Sequence, residues 1–172
     1  MVSTRDWTTV EQAVRCYGRA RKRFRTIQRR YDHSILTWND NLVGVAAEFW
    51  ASAYYRKLGY SVKLAPRSNT PGWDFIATKR SARKKISVKA VSDEARSGRL
   101  TRVSAKKEWD VLCVVHLSDT LEPEEIGLAT RASYQMALRE GLVRNKDPKV
   151  SPSVLRKCGW MRRYGEVNPW PK

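Results

Sequence analysis

Along the first third of the chain, apolar residues recur every three or four positions. Val10, Ala13, Val14, Tyr17, Ala20, Phe24, Ile27 and Tyr31 form such a stripe, which predicts an amphipathic helix starting near Val10. Thr8 or Thr9 can cap it, with Glu11 favourable in its first turn. A second helix is predicted over 42–58, with Leu42, Val45, Phe49, Ala53 and Leu58 on its core face. Asn39 or Asp40 would cap it, and Gly59 would end it in a left-handed conformation. Gly44, Ala46, Ala47 and Ala51 leave room for a sheet to approach this helix closely.

The period then changes to two. Residues 60–64 alternate and predict a strand. Two short apolar runs, 73–77 and 86–90, bracket the basic stretch 79–85 and predict a hairpin with a charged loop. Residues 111–117 are almost continuously apolar, as expected of a buried central strand. An acidic turn at 121–125 leads to a further strand at 126–130, antiparallel to its predecessor, and then to a helix over 131–140 ended by Gly141. Beyond 142 the pattern fails. Pro148, Pro152, Pro169 and Pro171 argue against one long element, while Trp160 is expected to pack against the body. The predicted architecture is α/β, a central mixed sheet flanked by helices. It carries a basic helical arm (1–37), a core (38–141) and an irregular basic extension packed on that core (142–172).

Charge adds a partner to this picture. Thirty-four Lys and Arg face 17 Asp and Glu, a net +17. So large an excess repels itself unless a polyanion is bound, and nucleic acid is the default partner. Arg19 and Arg23 lie on the first helix, whose charges after Glu11 are all positive, and a phosphate backbone would relieve their repulsion. A solubilising or dimer-forming arm explains the same helix. No apolar run approaches bilayer length and no secretory signal is present, so a cytoplasmic protein is expected. Cys16, Cys113 and Cys158 form no CxxC, and His33 and His116 stand at no zinc spacing from them, so reduced thiols are expected, Cys113 in a core strand. The absence of GxxxxGK[ST] gives no indication of ATP use.

The chemistry is concentrated between residues 71 and 90. Asp74, in Pro71-Gly72-Trp73-Asp74, and Lys89, in Ser87-Val88-Lys89, are charges inside otherwise apolar strands, where an unpaired ion is costly. An acid and an amine placed there together suggest a site. With Glu48 on the preceding helix, these residues resemble the PD-(D/E)XK nuclease superfamily, over roughly residues 42–130. That resemblance implies a restriction-endonuclease-like core. Asp74 would be a metal ligand with the backbone carbonyl of Val88, Glu48 would bind metal directly or through water, and Lys89 would sit over the attacking water. The superfamily usually has an acid or Gln two residues before the Lys, where this chain has Ser87. Some restriction enzymes of the superfamily share Ser-x-Lys and supply the acid from a later segment, for which Asp93, Glu94 and Glu108 are the candidates here.

The function so implied is Mg²⁺- or Mn²⁺-dependent endonucleolytic hydrolysis of DNA. RNA is an alternative substrate, and a homodimer would serve to cut both strands. A nucleic-acid-binding module on the same fold, with catalysis weak or lost, is the rival reading, and Ser87 favours it. Arg67, Ser68 and Asn69, in the turn leading to Asp74, together with Lys84, Arg96 and Arg99, are candidate phosphate contacts alongside Arg19 and Arg23.

Overall fold

The computed structural model describes residues 4–31, 42–65, 72–92, 103, 108–143 and 159–171. Helices α1 (Thr4–Tyr31) and α2 (Leu42–Lys57) come first. Strands β1 (Ser61–Leu64), β2 (Phe75–Lys79), β3 (Ala82–Ser92), β4 (Val111–Leu117) and β5 (Pro123–Thr130) follow. Helices α3 (Arg131–Arg139) and α4 (Gly159–Tyr164) and strand β6 (Glu166–Pro169) complete the chain order. The six strands lie side by side in sequence order. Only β3 and β4 run parallel, with Val88 beside Cys113 and Lys89 beside Val114, and every other neighbouring pair is antiparallel. The protein is therefore an α/β fold built on a mixed sheet.

Two apolar layers hold the sheet. On one face α2 contributes Ala46, Ala47, Trp50 and Ala51 against Phe75, Ile86, Val88, Cys113 and Val115. Its run of small residues lets the helix lie close to the strands, as the sequence predicts. On the other face Leu112, Val114 and Ala129 pack with Trp109, Tyr134, Trp160 and Met161. Strand β4 is buried along its whole length, which explains its unbroken apolar sequence. Gly59 ends the α2 segment at φ 80° and Gly141 the α3 segment at φ 69°, both as expected. Thr130 caps α3 by accepting a hydrogen bond from the Ser133 backbone N–H at 3.1 Å.

The core face of α2 is not the one predicted: Leu42, Val45 and Leu58 are 47%, 53% and 44% exposed, and Trp50, Tyr54 and Tyr55 are buried with the alanines instead. Three further expectations need correction. The first concerns α1, which starts at Thr4, so Thr8 and Thr9 lie inside the helix rather than capping it. Its contact with the body takes only part of the predicted apolar stripe: Val14 packs against the α2 layer, while Val10 is 46% exposed and Tyr17 37%. The helix docks also through Trp7, stacked on Phe49 at 5.4 Å and covered by Arg56 at 4.4 Å. Arg15 lies over Trp50 at 4.9 Å and pairs with Glu122, while Lys22 pairs with Asp119 at 2.7 Å. Gly18 lies against the β4–β5 turn so closely that a Cβ there would fall 1.8 Å from the Thr120 carbonyl oxygen. Ion pairs, cation–π contacts and a glycine carry this interface, and hydrophobic periodicity registers none of them.

The second correction concerns the hairpin. Its loop is only Arg80-Ser81, because Lys79 already pairs with Ala82 and β3 runs through the basic residues Arg83, Lys84 and Lys85. These residues sit on the far, exposed end of the sheet, where a strand tolerates charge. The third concerns the C-terminal region, which is irregular only in its sequence pattern. Strand β6 pairs with β5, placing Val167 beside Gly127, and the Trp170 N–H donates to the Glu124 carbonyl at 2.8 Å. Trp170 packs against Trp50 and Tyr54, with ring centroids 5.8 Å away in each case. Pro169 is tolerated because β6 is an edge strand. Trp160 is buried, as expected. No helix among the described residues is long and apolar enough to cross a membrane.

Candidate active site at the end of strand β2

The site forms where β2 stops and β3 continues. Phe75 pairs with Ile86, and Asp74 also turns its N–H to the Ile86 carbonyl at 2.8 Å. Two residues thus oppose one, the arrangement of a β-bulge, which bends a strand and re-aims a side chain. The side-chain alternation breaks here: Trp73 joins the α3–α4 layer, while Phe75, two residues on, joins the α2 layer. Past this point β3 has lost its β2 neighbour. The Asp74 side chain takes the place of the missing strand, one carboxylate oxygen accepting the Val88 N–H at 2.6 Å. The other face of the Asp74 backbone is also fixed, since its carbonyl accepts the Ala65 N–H at 2.9 Å. Asp74 is half-buried and held from three sides.

Glu48 lies on α2 and is exposed, yet partial burial of its carboxyl raises its pKa, and the Asp74 carboxylate raises it further while the Lys89 ammonium lowers it. Asp74 and Lys89 are thus the two charges that act on the Glu48 carboxyl. Lys89 leaves β3 on the face opposite Val88 and Ala90, whose side chains belong to the α2 layer. It therefore stands on the face of the sheet away from α2 and acts on Glu48 through its charge. Asp74 also acts inward: burial first, then the Asp74 carboxylate, push the Cys113 thiol up. Cys113 is fully buried, an inert core thiol as expected.

Ser87 is buried at 5% exposure and lies on the same side of β3 as Lys89. Glu108 is placed elsewhere. Its carboxylate pairs with Lys85 Nζ at 2.7 Å, and that hydrogen bond holds its pKa below the ordinary range. It is not among the charges that act on Glu48. Asp93, Glu94, Arg67, Ser68, Asn69, Arg96 and Arg99 lie outside the described residues. Among the described residues no group of three or more His, Cys, Asp or Glu side chains gathers as metal ligands. Arg19, Arg23 and Lys84 are exposed on α1 and β3. Asp110 ties the entry of β4 to its neighbours: it accepts the Lys85 N–H at 2.7 Å through its side chain and the Arg131 N–H at 2.9 Å through its carbonyl.

Sequence reasoning singled out the three residues as candidates but gave no account of the bulge that aims Asp74. The only sign of it was the punctuation of Pro71 and Gly72 immediately upstream.

No family model matches the chain, and no curated protein matches it. A solved structure similar to it is that of a bacterial homing endonuclease, at 17% identity and a TM-score of 0.43, over 58% of this chain and 70% of that one.

Proposed function

We propose that this protein is a divalent-cation-dependent nuclease that hydrolyses phosphodiester bonds of DNA. The observation that supports the reading best is Asp74, fixed at the start of β2 with its carboxylate on the Val88 N–H at 2.6 Å, together with the charges of Asp74 and Lys89 acting on the Glu48 carboxyl. Burial first and the Asp74 carboxylate second raise the Glu48 pKa, and a cation seated between the two carboxylates would offset the second of these. Mg²⁺ commonly uses one or two carboxylates, completed by waters and substrate phosphates, so the donor set fits without a third acid. Asp74 has one carboxylate oxygen committed to the Val88 N–H, leaving the other for a metal. Within a strand, a residue's N–H and C=O point to the same edge, so the Val88 carbonyl faces the same notch. These two oxygens and Glu48 would hold the ion.

A bound Mg²⁺ or Mn²⁺ would lower the pKa of its water toward neutrality and offset charge on the phosphate. The protein's own part is positional. Asp74 is fixed by the bulge, Lys89 places a positive charge beside the acids to stabilise the phosphorane oxygens, and Glu48 can accept a proton because its pKa is raised. Ser87 brings no charge, so cation affinity should be lower than with an acid there. The net charge of +17 would draw in the polyanion and make binding fall with salt.

Incubation of the protein with plasmid DNA and Mg²⁺ or Mn²⁺, against an EDTA control, tests this directly. Cleavage blocked by EDTA is expected. Asp74→Asn and Lys89→Ala should each reduce the cleavage rate by about a hundredfold or more, while gel-shift affinity stays within a few-fold. Two variants that cut at the parental rate would refute the assignment. Binding without cleavage under either metal would identify a recognition module, the reading that Ser87 favours, and competition between RNA and DNA at fixed salt would decide the substrate.

A further inference from the structure

Resting on the nuclease reading above, we propose that the face of strands β1–β3 turned away from α2 is a track for the phosphate backbone of duplex DNA, running along β3 toward the candidate active site. These three strands carry six Lys and Arg and no acid. The register sorts them by face. Val62, Phe75, Ala77, Ile86, Val88 and Ala90 belong to the α2 layer, so Lys63, Arg83, Lys85 and Lys89 stand on the other face. Lys79 and Lys84 stand on the α2 side, with Lys79 Nζ donating to the Leu58 carbonyl at 2.7 Å.

Arg83, Lys85 and Lys89 form one row along β3, about 20 Å long. Successive places in the row are about 6.7 Å apart, a step close to that between neighbouring phosphates of a nucleic-acid strand. Ser87 fills the remaining place but is buried. Lys63 joins from β1, since Lys63 and Lys85 are the two cross-strand neighbours of Ile76. Their stems can lie over that buried residue while the ammonium groups stay in water. Lys63 and Arg83 are exposed, and the Lys85 side chain is 34% exposed. The α3–α4 layer takes the same face only at Val91 and on β4, at Leu112 and Val114. A solvated sheet face ordinarily mixes both signs, because like charges on neighbouring strands repel. Here the strands supply one sign, which a polyanion neutralises. No residue of β1–β3 on this face is aromatic, so it offers unpaired bases no stacking platform and suits phosphates, held without regard to sequence. Asp110 is engaged by the Lys85 backbone N–H. Glu108 pairs with Lys85 Nζ at 2.7 Å, its side chain 69% exposed. An exposed pair of this kind is weak, so a phosphate can displace Glu108, which restrains the track in the free protein.

Binding of a short labelled duplex of mixed sequence, in EDTA over a series of salt concentrations, tests this. Lys63→Gln and Arg83→Gln should each weaken binding by about threefold or more and lower the slope of log K against log salt by about 0.9, alike for duplexes of different sequence. Glu108→Gln should tighten binding by about twofold or more. Two controls change charge equally elsewhere and should match the parent: Lys57→Gln, on α2 at the other side of the sheet, and Glu166→Gln, on the far edge strand β6. All five positions are exposed, so an unchanged melting temperature separates altered binding from altered folding. Controls that shift affinity as much as the track variants would show that net charge alone attracts DNA and would overturn the proposal. A tighter complex with the single strand of the same sequence would overturn it too. EDTA keeps metal-dependent cleavage out of the measurement. A track that binds duplex in a protein that never cuts would therefore refute only the nuclease reading. A protein that cuts, and whose Lys63→Gln and Arg83→Gln variants bind like the parent, would refute this inference alone.

Discussion

Glu48 shows how much one side chain's environment can say. Its pKa is raised by lost hydration first and by Asp74 second, against the opposing pull of Lys89. A carboxyl whose pKa is higher in the folded state contributes most to stability at low pH, and that contribution disappears as pH rises through the raised value. The neutral isostere Glu48→Gln should therefore stabilise the metal-free protein at pH 7, by less than about 1 kcal/mol because solvent reaches the group. The gain should vanish in acid, where the wild-type residue is itself protonated. Thermal unfolding at the two pH values checks this, and an equal effect at both would contradict the coupling. Adding Mn²⁺ should raise the melting temperature of the wild type more than that of Glu48→Gln or Asp74→Asn. At this scale the sequence was informative, because a charge inside an apolar strand is conspicuous for the energy it costs. It could not assign a third acid: Glu108 looked equivalent to other acids until its pairing with Lys85 was visible.

At the scale of elements, regular periodicity was legible and irregularity was not. Strand β4 and helix α3 fall close to where alternation, caps and a terminating glycine put them. The bulge at Asp74 could not be read, since one extra residue in a strand has no periodic signature. The docking of α1 escaped for a related reason. Of its apolar stripe, Val14 packs on the body while Val10 and Tyr17 are exposed, and the docked side also uses Arg15, Lys22 and Gly18. Gly18→Ala should thus be destabilising by about 1–3 kcal/mol, although alanine is the better helix former. Denaturant unfolding measures it, and a stabilised variant would mean that α1 does not lie against the Thr120 carbonyl. Arg80 gives the converse case. It occupies a two-residue hairpin loop at φ 55°, so Arg80→Gly should be neutral or stabilising by up to about 1 kcal/mol.

For the whole molecule, the apolar pattern anticipated a helix, a strand, a hairpin and two more strands in that order, and the described residues follow it. The last strand was missed because four prolines hide it, and because an edge strand needs little pattern of its own. Yet β6 seals both layers: Trp170 closes the aromatic cluster around Trp50 and Tyr54, and Val167 leans on the α3–α4 layer. Trp170→Ala should cost about 2–3 kcal/mol, seen as a lower denaturation midpoint, and removal of residues 166–172 should expose the β5 edge and promote aggregation. An unchanged midpoint would show that the C-terminal strand is ornamental.

The two-against-one rung at Asp74 has an evolutionary consequence. In-frame loss of that single codon would take away the acid and, in the same event, let the neighbouring strands zip together without interruption. On the nuclease reading proposed above, the descendant would be better paired and inactive. Durability and activity would then pull on one position in opposite directions, so relaxed selection would drift toward the sturdier, silent form.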